Sequence, residues 1–160
     1  MENKYEKSEH SVGKMMMHLE WCTKYRYKMF RKFEYRNLIT ACIRRAASLH
    51  QIEMIEINAQ PEHIHCVVSV AFTFSASRVL QLLKGISAKL FFEYHKKARL
   101  RYPRGHLWSR GKFVSSVGFV QLETVQNYVR IHIMETAHFS VLEDVIYLLT
   151  KSPTSHTTKQ

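Results

Sequence analysis

A chain of 160 residues with 46% hydrophobic and 12% aromatic side chains can bury one domain-sized core, which excludes a disordered chain. Its 24 lysines and arginines outnumber 13 acids, and a net charge of +11 in so small a domain favours a polyanionic partner over a merely solvated surface. No apolar run approaches the ~18 residues of a membrane helix, no segment is an evident basic amphipathic anchor, and the opening MENKYEKSEHSVGK is too polar for a secretory leader.

Residues 1–12 read as a flexible arm, and KMMMHLEWCTKYR (14–26) as a first strand. EYRNLITACIRRAASLH (34–50) places Ile39, Cys42, Ile43, Ala46 and Leu49 at helical spacing. IEMIEINA (52–59) alternates through Ile52, Met54 and Ile57, with Ile55 out of phase. After a turn at Pro61, HIHCVVSVAF (63–72) reads as the next strand, so the two form a hairpin. SASRVLQLLKGISAKLFFEYH (75–95) opens on serines suited to capping and carries Val79, Leu82, Leu83, Ile86 and Leu90 on one stripe. ARLRYPRGHLWSRG (98–111) is a basic loop punctuated by Pro103, Gly105 and Gly111. KFVSSVGFV (112–120) reads as a fourth strand and QLETVQNYVRIHIMETA (121–137) as a third helix, before a weak helical stretch (141–150) and a polar tail (151–160). The order β-α-β-β-α-β-α predicts an α+β fold in a single domain, 1–160: a ferredoxin-like, split βαβ antiparallel sheet with an added C-terminal helix. Cys22, Cys42 and Cys66 are odd in number, widely spaced and in apolar contexts. They read as small core residues of a cytoplasmic protein, with no disulfide framework.

The cations cluster in 24–36, 43–45 and 95–112, interleaved with Tyr25, Tyr27, Phe30, Phe33, Tyr35, Tyr102 and Trp108. Unpaired bases stack on aromatic rings while cations hold phosphates, so the pattern suits single-stranded nucleic acid. The candidate DNA contacts are Lys24, Arg26, Arg31, Lys32, Arg36, Lys84, Arg104, Arg110 and Lys112.

PEHIHCVV (61–68) puts His63 and His65 on one face of a strand. Such a pair can be two core imidazoles bonded to backbone, or two ligands of a metal that polarises a phosphate oxygen. On the third helix Tyr128, His132 and Glu135 form a stripe beside the core positions Leu122, Val125, Val129 and Ile133. Tyr128 and His132 are four residues apart and share a face. A tyrosine there is ordinarily a packing residue, but beside a metal ligand it can be a nucleophile towards phosphorus.

These blocks carry a resemblance. HSVGKMMMHLEWCTKYRYKMF (10–30), PEHIHCVV (61–68), LKGISAKLFF (83–92), LWSRGKFVSSVG (107–118) and ETVQNYVRIH (123–132) occur in the order found in the HUH-superfamily single-tyrosine transposases (TnpA) of the insertion sequence 200/605 family, which the chain resembles over nearly its whole length. The resemblance implies a ferredoxin-like dimer acting on single-stranded DNA whose subterminal hairpins mark the element ends. It implies that Tyr128 attacks the scissile phosphate, becomes 5′-phosphotyrosyl-linked and frees a 3′-OH. It implies that His63 and His65 hold a divalent metal, Mg²⁺ or Mn²⁺. It implies, too, that the tyrosine helix of one subunit can complete the site of the other.

The chain departs from the family at the third ligand, a glutamine four residues after the tyrosine, where this sequence has His132. Imidazole can replace an amide oxygen, and Glu135 one turn later is the competing ligand. Glu62 stands where the family has aspartate; next to His63 on a strand it should face away unless the turn bends it back. A histidine-triad hydrolase needs a third alternating histidine, and position 67 is valine. Relaxases and replication initiators are larger. A tyrosine transposase of repetitive palindromes shares the chemistry. A domesticated hairpin-binding protein would be expected to have lost Tyr128 or the histidines, and all three are present.

Overall fold

In the computed structural model, residues 7–8, 11–118 and 126–127 are described. Within the segment read as an arm, β1 (Lys7–Ser8) and β2 (Ser11–Val12) pair antiparallel. The main sheet contains β3 (Lys14–Cys22), β4 (Glu53–Ala59), β5 (His63–Ala71) and β6 (Phe113–Ser116), in the order β4-β5-β3-β6. Every neighbouring pair is antiparallel. Helix α1 (Phe33–Ser48) connects β3 to β4, and α2 (Ala76–Tyr94) follows β5. This is the expected α+β order through β6. Gln126 and Asn127 are helical, as predicted, and the other residues of the expected helix (121–137) lie outside the described residues.

Alternation decides which side of each strand is core. Met17, Leu19 and Trp21 of β3 and Ile64, Cys66, Val68 and Val70 of β5 join one buried cluster with α1 and α2. The intervening residues, His18, Glu20 and Cys22 of β3 and His63 and His65 of β5, therefore fall on the opposite sheet face. The out-of-phase Ile55 has a physical cause: the β4–β5 register shifts between Met54 and Glu56, a bulge that lets Ile57 and Ala59 return to the core.

The helix stripes need partial correction. Ile39, Cys42, Ile43 and Ala46 are buried as expected, but Leu49 follows the last turn of α1 and is exposed. In α2 the buried line runs through Val79, Leu80, Leu83, Ser87, Phe91 and Phe92, while Leu82, Ile86 and Leu90 are only partly buried. The wider apolar surface of α2 allowed either line, and packing against α1 and the sheet chose between them. Ser75 caps α2 as expected, its hydroxyl accepting from the Arg78 amide at 3.2 Å. β3 ends at Cys22, short of Arg26, and the loop after α2 contains a short helix, α3 (Ala98–Arg101).

Burial pushes the Cys42 thiol up to about 12 from an ordinary 9.0, with the Glu93 carboxylate adding to the rise. A pKa raised on folding gives stability that is present below the unfolded value and lost as pH rises through the folded one. Wild type should therefore lose roughly 2–3 kcal/mol more than Cys42→Ala between pH 8 and pH 11. Urea denaturation of both proteins across that range reads the difference, to which other titrating groups contribute equally. Parallel pH profiles would contradict the burial of this thiol.

Candidate functional site

The register of β3 on β5 sets Glu20 opposite His65 and Cys22 opposite His63. Asn58 of β4 faces His65 from the other side. One donor atom from each of Glu20, His63 and His65 lies within 4.8 Å of the others. Two ligands around an ion at ~2.1 Å are at most ~4.2 Å apart, so small side-chain adjustments bring the three to coordinating distance. The donor set, two imidazoles and a carboxylate, is suited to a divalent cation.

The rings of His63 and His65 meet edge to face at 4.8 Å between centroids. Glu20 Oε2 stands 3.7 Å from Nδ1 of His65, and Glu62 Oε1 stands 3.3 Å from Nδ1 of His63. The turn before β5 thus does bend Glu62 back towards His63, the exception to the strand rule. His65 is buried, and His63 and Glu20 are half-buried. His18 stacks on His65 at 5.7 Å, and Phe113 of β6 closes on His18 at 5.9 Å. Burial holds the His18 imidazole below its ordinary value, while the Glu20 carboxylate pulls the other way.

The fold places His63 and His65 as a pair, as expected, and brings Glu20 to them. Glu20 was not among the residues expected from sequence. Its signal was present: a carboxylate between the apolar Leu19 and Trp21, on the same strand face as His18. Only the register shows which strand it meets. Tyr128, His132 and Glu135 lie outside the described residues.

The cations divide into two kinds. Arg26, Arg31, Lys32, Arg104, Arg110 and Lys112 are exposed, and Lys24 is half-buried. Lys32 also reaches Glu34 at 3.8 Å. Arg36 donates from Nε to the Phe30 carbonyl at 3.0 Å and from Nη2 to that of Arg31 at 3.1 Å. Lys84 donates from Nζ to the Ser109 carbonyl at 2.8 Å, and burial, reinforced by Lys112, lowers its pKa. These last two tie loops to helices α1 and α2.

A family model described as "Transposase IS200 like" matches residues 11–132. The chain belongs to this transposase family. It is 25% identical over 121 residues to the transposase for insertion sequence element IS200 of Salmonella typhimurium, covering 76% of this chain and 78% of that protein. It is 25% identical over 118 residues to the ISDra2 transposase TnpA of Deinococcus radiodurans, covering 74% and 84%. A crystal structure of a Deinococcus radiodurans protein assigned as a transposase superposes with a TM-score of 0.64 at 23% identity, over 79% of this chain and 96% of that one. A REP-associated tyrosine transposase bound to a REP hairpin superposes with a TM-score of 0.55 at 14% identity, over 81% and 73%. These two likenesses bear on the fold of the IS200-like transposase. Among its described residues no helix is long and apolar enough to cross a membrane.

Proposed function

We propose that this transposase cleaves and rejoins single-stranded DNA at insertion-sequence ends through a 5′-phosphotyrosine on Tyr128, assisted by a divalent metal. The observation that supports the reading best is the convergence of Glu20, His63 and His65 on the sheet face opposite the helices, in a member of the IS200-like family. In this reading Glu20, His63 and His65 would hold Mg²⁺ or Mn²⁺, with His132 of the helix expected over 121–137 as a further ligand. A divalent cation held there would polarise a phosphate oxygen and offset charge developing at phosphorus. Glu62 on the Nδ1 side of His63 would orient that ring and leave Nε2 as its metal-ligating nitrogen.

The Tyr128 hydroxyl attacks the scissile phosphate, the bond from phosphorus to the 3′ oxygen breaks, and a 3′-OH leaves. Attack by a 3′-OH on the phosphotyrosine reverses the step at a new junction and releases the tyrosine. The substrate is single-stranded DNA with subterminal hairpins, and the active form is a homodimer in which the tyrosine helix of one subunit can serve the other. Pairing across a two-fold axis would also cover exposed sheet edges. The deciding experiment incubates the protein with labelled single-stranded end DNA and Mn²⁺, then separates products under denaturing conditions. A protein-linked label supports the reading, and its absence with an intact, metal-loaded dimer rejects it.

Phosphate contacts from the exposed cations make binding salt-dependent. Each phosphate neutralised on a single strand contributes about −0.7 to the slope of log affinity against log salt. If Lys24, Arg26, Arg31, Lys32, Arg104, Arg110 and Lys112 each neutralise one, the slope is about −5. Fluorescence anisotropy across a salt series measures it. A flat response, or equal preference for perfect duplex, counts against this interface.

A further inference from the structure

The chain leaves β3 at Cys22 and turns through a 3₁₀ segment, Lys24–Arg26, whose backbone is unusual. Tyr25 has φ 62° and ψ 15°, and Arg26 has φ 52°. Two consecutive residues with side chains sit in the left-handed region, where a Cβ is unfavourable. The surrounding bonds hold them there. The Thr23 amide donates to the Glu62 carbonyl at 2.8 Å, and the Lys24 amide to the Leu107 carbonyl at 2.8 Å. The Thr23 hydroxyl donates to the Tyr27 carbonyl at 2.7 Å, and the Tyr102 hydroxyl to the Lys24 carbonyl at 3.2 Å.

This conformation presents an aromatic ring to solvent. Tyr25 is 69% exposed, more than any other tyrosine, phenylalanine or tryptophan among the described residues. Lys24 Nζ lies 5.1 Å from its ring centroid. Behind it Tyr27 stands at 5.5 Å and Tyr102 a further 5.6 Å on, with the Arg101 guanidinium 4.0 Å over Tyr27. Residues 23–33, TKYRYKMFRKF, contain no acid. A ring held out by an over-determined, strained backbone among cations has no packing role that explains it, and such strain collects at functional positions. Its place is specific as well. Cys22 pairs with His63, and the Thr23 amide bonds the carbonyl of Glu62, so Tyr25 stands at the His63 end of the strand pair that carries the metal ligands.

We propose that Tyr25 is the stacking platform for one unpaired base close to the scissile phosphate, with Lys24 and Arg26 meeting the phosphates on either side of that base. This inference rests on the single-stranded DNA reading above. Stacking on an aromatic ring contributes enough per base to be read in binding, tolerates any base because each has a π face, and needs no hydroxyl. The flanking cations suit phosphates, which accompany a base of a strand but not an apolar peptide side chain.

The test uses the full chain and a labelled single strand spanning the element end, with affinity read by anisotropy without metal, so that cleavage does not intervene. Tyr25→Phe should bind within about twofold of wild type, and Tyr25→Leu about 5- to 100-fold more weakly. An abasic scan of the strand should find one position whose loss weakens wild type by a similar factor and leaves Tyr25→Leu unchanged. Tyr25→Gly, which suits the left-handed backbone, should lose the same affinity while melting no lower than wild type. A packing role would instead lower the melting temperature of Tyr25→Gly and Tyr25→Leu while leaving the abasic profile unaltered. Unchanged affinity in Tyr25→Leu, or abasic effects that add to it at every position, would overturn the proposal. Wild type that forms the covalent adduct but shows either result rejects the platform alone; wild type that neither binds the strand nor forms an adduct rejects both readings.

Discussion

Tyr128→Phe should form no covalent adduct with single-stranded end DNA. The variant loses one oxygen, the atom that would join phosphorus, and Phe offers no substitute. Removing the nucleophile of a covalent mechanism lowers turnover by a factor on the order of 10⁴–10⁶. Binding should stay within about twofold, because the proposed phosphate contacts and base stacking would come from other residues. The two readouts together separate chemistry from recognition. Denaturing electrophoresis after incubation with end-labelled DNA follows the adduct, and anisotropy follows affinity. An adduct forming at normal yield would remove Tyr128 from the mechanism and direct attention to another hydroxyl. Loss of both adduct and affinity would instead mean that the tyrosine ring organises the DNA.

The second large effect is expected at the proposed metal ligands. His65→Ala removes a buried donor opposite Glu20, and cleavage should fall on the order of 10³-fold, with Mn²⁺ affinity lost in step. Glu20→Gln retains the shape but removes the carboxylate charge, and should weaken Mn²⁺ binding about 10- to 100-fold. The segment read from sequence as a helix over 121–137 adds the question of His132. A ligand set of His63, His65 and His132 is rich in nitrogen and favours Mn²⁺ over Mg²⁺, which prefers oxygen. Glu20 restores one hard oxygen, so Mg²⁺ should still support measurable activity. His132→Gln should narrow the gap between the two metals. Titrating each metal into wild type, Glu20→Gln, His132→Gln and Glu135→Gln, by calorimetry and by cleavage rate, orders the ligands. If Glu20→Gln binds Mn²⁺ as wild type does, that carboxylate only positions His65. If His132→Gln leaves the metal dependence unchanged and Glu135→Gln abolishes it, Glu135 is the further ligand instead.

The features legible from the amino acids alone follow from local periodicity. Alternation in 14–22 and 63–71 depends only on the extended backbone, so the shared face of His63 and His65 was legible, as was the apolar face carrying Leu19, Trp21, Ile64 and Cys66. Helical spacing located α1 and α2, and five motif blocks in family order marked the transposase. Tertiary structure decided what depends on partners distant in sequence. Which residue of β3 meets His65 is a matter of register, so Glu20 entered the site only when the strands paired. The bulge at Ile55 reconciled a broken alternation with a continuous core, a solution that needs the neighbouring strand to define it. The left-handed turn at Tyr25 has the same origin. Its sequence, TKYRY, contains no glycine to announce it, and the bonds that hold it come from Glu62, Tyr102 and Leu107. A strained local conformation persists where remote contacts outweigh local preference, and those contacts exist only once the chain has folded.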